Sequence, residues 1–117
     1  MFYLSPIYFR FNTYPEEVVC VGLILLNSET DQVKAKLSDV KLKLARNIAP
    51  NKAAFKLFKM SVTQLVSHEE YSLQYLDRLY RYQNGLIKLD RPSPIACESF
   101  DIFDDLFFKR IEEPFIK

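Results

Sequence analysis

Glycine is nearly missing from this chain. It has two, Gly22 and Gly85, in 117 residues, which leaves no room for a glycine-rich phosphate loop. So few glycines also predict few tight turns of positive φ, and hence few short hairpins. There is no tryptophan, one histidine (His68) and two cysteines, Cys20 and Cys97, far apart in sequence. With no Cys-x-x-Cys pair, ordinary zinc spacing and a disulfide framework are both excluded. The thiols are expected to be free, in a reducing compartment. An excess of one charge is missing too. Sixteen bases meet fifteen acids for a net +1, so the field of the whole molecule selects no partner. The longest apolar run, Val18 to Leu26, is under half of the roughly twenty residues a membrane helix needs. The start, "MFYLSPIYFRF", has no basic leading segment and no small-residue cleavage site, so we expect no secretory leader. The expectation is a cytoplasmic protein with no membrane segment, no internal repeat and no low-complexity stretch.

What is present argues for one folded domain over residues 1–117. Hydrophobic residues make up 49% and aromatics 15%, far from a disordered composition. In "YLSPIYFRF", Ile7, Phe9 and Phe11 alternate with Tyr8 and Arg10, the period of a half-buried strand whose start or edge Pro6 would suit. The loop "NTYPEE" returns the chain as a hairpin with a longer connection. "VVCVGLILL" is apolar on both faces and reads as a strand covered by helices on one side and partly on the other. Gly22 within it marks a bulge or a close approach. "QVKAKL" gives a third, one-sided strand. Ser38-Asp39 caps a helix with Val40, Leu44 and Ile48 inward, although "VKLKLA" also fits a strand. Asn51 caps a second helix with Phe55, Phe58, Val62, Leu65 and Val66 inward and Lys52, Lys56 and Lys59 in water. A third pattern uses Leu73, Leu76, Leu79 and Tyr80 and ends at Asn84-Gly85. "LIKL" is a short strand, "DRPSP" a loop and "IAC" a last extended piece. Ser99 caps a final helix with Phe100, Phe103, Leu106, Phe107 and Ile111 inward. The fold class is α+β: a small antiparallel sheet, a three-strand meander plus a short later strand, covered by three to four helices.

No nucleophile–base–acid set suggests itself. Glu16 and Glu17 read as loop residues able to meet a cation, but no third oxygen ligand is fixed by spacing. His68 reads as a surface histidine at a helix end, so we expect no catalytic residue, no metal and no cofactor. Two features suggest partners instead. Tyr71, Tyr75, Arg78, Arg81 and Tyr82, in "YSLQYLDRLYRYQ", are the residue types enriched at protein–protein hot spots. From Lys34 to Lys59 eight bases stand against one acid, Asp39. Within that segment Lys41, Lys43, Arg46, Lys52, Lys56 and Lys59 are the candidates for phosphate contacts with nucleic acid. A long apolar second strand at a sheet edge would also pair with a second copy, giving a homodimer.

The order of these pieces resembles the bacterial domain-of-unknown-function family numbered 3037, from about Tyr8 to Ile111. An aromatic first strand is followed by Pro15, "EVVCVGLILLN", a helical middle, "NGLIKLDRPSPI" and the acidic amphipathic "SFDIFDDLFFKRI". The family pattern Glu-x-x-Asn-Val-Gly is matched at Glu17, Val21 and Gly22, with Cys20 in place of the asparagine. The resemblance implies a small regulatory or accessory subunit, since genes of that family often stand beside genes for HipA-like kinases of persistence modules. It implies a HipA-like kinase as the partner protein and carries over no catalytic residue.

Overall fold

The computed structural model describes residues 1–13, 15–68, 70–81 and 85–112. The element order is β1 (Phe2–Thr13), β2 (Glu16–Asn27), β3 (Val33–Leu37), α1 (Asp39–Ile48), α2 (Lys52–Ser67), α3 (Leu73–Arg81), β4 (Ile87–Leu89) and β5 (Ser93–Ile95). A C-terminal helical segment follows, with a 3-10 turn (Phe100–Ile102), a short α-helix that we call α4 (Phe103–Phe107) and a π turn (Phe108–Glu112). The fold is α+β, as expected.

The five-stranded antiparallel sheet has the order β3-β2-β1, and the far side of β1 is shared between β4, opposite Ile7–Phe9, and β5, opposite Phe2–Leu4. β2 is therefore an inner strand. The expected pairing of its edge with a second copy has no edge to use. Two other expectations are corrected here. Thr13 pairs with Glu16, so the first hairpin closes through residues 14 and 15 alone, without glycine. β5 takes in Ser93 and Pro94, part of the stretch read as loop. It is a three-residue edge strand, where proline is tolerated.

Pro6 lies in the middle of β1, opposite Leu23, and not at a strand start or sheet edge. Its carbonyl accepts from Asp90 N–H at 3.3 Å, on the β4 side. A strand residue's N and O point the same way, so the missing N–H faces the gap between β4 and β5 and removes no bond to β2. The Ser5 hydroxyl donates across the same gap to Asp90 O at 2.8 Å.

Gly22 is both things its position suggests. Ile7 pairs with Gly22 and Tyr8 with Cys20, which leaves Val21 as the extra residue of a β-bulge. The bulge shifts the phase of β2. Val19 and Val21 face one side before it, and Ile24 and Leu26 face that same side after it. A Cβ at Gly22 would stand 2.6 Å from the Lys36 carbonyl oxygen and 2.9 Å from Leu37 Cδ2.

Both faces of the sheet are buried, by different elements. On the first, Ile7, Phe9, Val21, Ile24 and Leu26 lie under Ala45 of α1, Phe58 and Val62 of α2 and Leu76 of α3. Phe9 and Phe58 meet at a 49° tilt with ring centroids 4.6 Å apart, worth about 1 kcal/mol beyond area burial. On the second, Phe2, Leu4, Leu23 and Leu25 lie under Phe103, Phe107 and Ile111. α2 and the C-terminal segment thus bury the stripes their spacing predicts. α1 does so at Ile48 alone: Leu42 and Ala45 join it inward, with Ala49 just past the helix end, while Val40 is 38% exposed. The reason is the entry of the helix. Ser38 N–H is held by Val21 O at 2.8 Å. The Ser38 hydroxyl accepts from Lys41 N–H and donates to Glu112 Oε2 at 2.8 Å. The bulge residue Val21 therefore sets the rotation of α1.

Candidate functional site

The chemistry-bearing residues are best placed one element at a time. Glu16 and Glu17 are strand residues of β2, not loop residues. Glu16 meets Lys88 at 2.6 Å and Arg10 at 3.2 Å, and the Lys88 hydrogen bond holds its carboxyl below the usual range. Glu17 accepts from Asn12 Nδ2 at 3.0 Å. Both carboxylates are committed to neighbours, and among the described residues no group of three His, Cys, Asp or Glu is placed to hold a metal ion. His68 is exposed just after α2.

Cys20 pairs with Tyr8 on the second sheet face. Burial is the main cause that pushes its thiol up to about 11, so the thiolate that would act as nucleophile is scarce at neutral pH. Tyr8 is raised chiefly by burial and also by its 2.8 Å hydrogen bond to Asp90. Cys97 lies two residues past Ile95, which pairs with Phe2. Six residues of β1 separate Phe2 from Tyr8, about 20 Å, so the two cysteines are far beyond disulfide reach.

The five Tyr and Arg candidates do not form one surface. Tyr71 is buried, 8% exposed, in the first-face core. It precedes α3, with its ring between His68 at 6.4 Å and Tyr75 at 5.3 Å. Its hydroxyl has no hydrogen-bond partner among the described residues. Tyr71 is thus a core residue and not a partner contact. Tyr82 lies outside the described residues. Tyr75, 39% exposed, and Arg78, also exposed, stand one turn apart on α3. Ser72 caps that helix, its hydroxyl accepting from Tyr75 N–H at 3.1 Å. Arg81, exposed, is held by Asp77 at 2.7 Å.

The basic segment is divided as well. Lys34 and Lys36 lie on the second sheet face, their ammonium groups 5.4 Å and 4.9 Å from the centroids of Phe103 and Phe107. They cover apolar rings with their stems, as long cations do. On α1, Lys43 and Arg46 are exposed. Lys41 lies about 140° around the helix from Arg46, half-buried and close enough to Cys20 for its charge to act on the thiol. Lys52, Lys56 and Lys59 do share one exposed face of α2.

A groove lies between α2 and α3, floored by β4. It measures about 530 Å³, within the range of about 300–1,000 Å³ typical of binding clefts. Leu57, Ser61, Gln64, Leu65 and His68 form the α2 wall. Tyr75 and Leu79 form the α3 wall, with Leu86, Ile87 and Leu89 beneath. Leu57 is 60% exposed and Met60, one turn along α2, 61%. Both fall off the helix's predicted apolar stripe, and that misplacement was the available signal. The chain matches no protein-family model, no curated protein and no solved structure.

Proposed function

We propose that this chain is a non-catalytic interaction module that binds a partner protein in the bacterial cytoplasm. One observation carries the reading. Of the six large apolar side chains exposed among the described residues, Leu57 and Tyr75 line one groove from its two walls, and Met60 stands one turn from Leu57 on α2. Clustered uncovered apolar groups of this kind mark interaction sites. Tyr75 and Arg78 beside it are residue types that dominate binding energy when a partner covers them. The resemblance to family 3037 makes a HipA-like kinase of a toxin–antitoxin or persistence module the partner to look for. No described helix is long and apolar enough to cross a membrane.

The test is a tagged pull-down from the native host at moderate salt. Wild type should retain one stoichiometric protein, and a Tyr75→Ala, Arg78→Glu double variant should lose it. A partner held equally by both would sink the assignment of this face.

A second reading rests on Lys52, Lys56 and Lys59 sharing one face of α2: nucleic-acid binding through phosphate contacts. It predicts affinity that falls steeply with salt, at a log–log slope near 0.9 per phosphate neutralised. Lys56→Glu should flatten that slope. No binding at low salt, or a flat salt response, would remove this reading.

A further inference from the structure

We infer that the groove between α2 and α3 seats an amphipathic α-helix of the partner, apolar along one side and acidic along the flank that meets Arg78. The inference rests on the interaction-module reading and names the partner's element.

The layer is the first argument. Helices on the first sheet face cover the strands beneath them, except where α2 and α3 part over β4, and there Leu86, Ile87 and Leu89 floor an open channel. A helix laid in that gap completes the layer. Length is the second. The α2 wall runs from Leu57 to His68, about 16 Å of helix, which suits side chains presented at i, i+3 or i+4 and i+7.

Backbone chemistry is the third argument. An extended peptide must find partners for its own N–H and C=O groups. Among the described residues the groove offers it the three-residue strand β4 as an edge and the side chains of Ser61, Gln64 and His68. A helix satisfies those groups internally and needs only apolar cover. Charge is the fourth. No carboxylate is among the described residues that line the groove. Arg78 is exposed one turn from the wall residue Tyr75, whereas Arg81 is already held by Asp77. An acidic flank is therefore favoured over a basic one.

Two synthetic, end-capped peptides of about 15 residues supply the test. They share leucines at helical spacing and differ only in glutamate or lysine along one flank. Each is titrated into isotope-labelled full-length protein and followed by amide NMR. The glutamate peptide should shift the signals of Leu57, Ser61, Leu79 and Leu86. It should bind about three- to fivefold tighter than the lysine peptide, the size of one exposed ion pair. Arg78→Glu should reverse that order. Leu57→Asp, at an exposed position, should abolish both interactions while leaving the spectrum folded. Absence of shifts with either peptide overturns the inference, and so does an order that Arg78→Glu leaves unchanged. Groove shifts that grow with protein concentration alone also overturn it, since they make a second copy the occupant. Retention of a captured partner by Leu57→Asp refutes the groove and leaves the module reading standing. A pull-down without any partner refutes the module reading, and the titration still decides the groove.

Discussion

Gly22 carries more of the structure than any other single residue. It sits at the bulge that shifts the phase of β2, and its missing Cβ makes room for the Lys36 carbonyl. The obstructing atom is backbone, so a methyl group there cannot be accommodated by turning a side chain. Gly22→Ala should cost about 2–4 kcal/mol, through overpacking and loss of the β2–β3 register. A urea midpoint lowered by less than the equivalent of about 1 kcal/mol would show that the bulge relaxes freely. Asp31 is the contrasting case. It holds a φ of 61° in the turn between β2 and β3, so Asp31→Gly should leave stability unchanged or raise it by up to about 1 kcal/mol. Gly22 was legible as special because mid-strand glycine has few causes. It misplaced Tyr71 for an equally physical reason. Tyr71 precedes the first residue of α3, so projecting it onto that helix's outer face has no meaning.

At the scale of elements, what could be read depended on how far one period outweighed the other. α2 was legible because Phe55, Phe58, Val62, Leu65 and Val66 fit only the helical spacing. The rotation of α1 was not, because alternating Lys and Leu in "VKLKL" satisfies two periods, and a contact from Val21 decides the matter. Of the groove only the stray apolar residues of α2 could be read, for a stronger reason. Its walls and floor come from three elements brought together only by folding. The C-terminal segment shows what burial adds once the spacing is right. Phe107 and Phe108 are neighbours, 2% and 47% exposed. Phe107→Ala should destabilise by about 3–5 kcal/mol, since it empties the second-face core beneath Lys36, whereas Phe108→Ala should stay within about 0.5 kcal/mol. Equal effects in thermal melts would mean that the segment docks loosely and that the cover over Phe2, Leu4, Leu23 and Leu25 is replaceable.

The molecule as a whole sandwiches one sheet between two unlike covers, and its buried hydroxyls and thiol tie stability to alkaline pH. Cys20 is raised from 9.0 to about 11, and Tyr8 and Tyr71 are both raised above 10.0, in each case chiefly by burial. The folded chain therefore keeps these protons at pH values where the unfolded chain has released them. Groups of this kind leave stability constant below the unfolded pKa and withdraw it as pH rises towards the folded one. On this account the urea midpoint should be level from neutral pH to about 9 and should fall beyond it. Cys20→Ala separates the contributors. It removes the thiol and spares both tyrosines, so the onset of the fall should move from about 9 towards about 10. An unchanged onset would show that Cys20 ionises as readily in the fold as outside it. The second sheet face, where Cys20 lies beside Tyr8 and Asp90, would then be open to water, and not shielded by the C-terminal segment as the packing of Phe103, Phe107 and Ile111 requires.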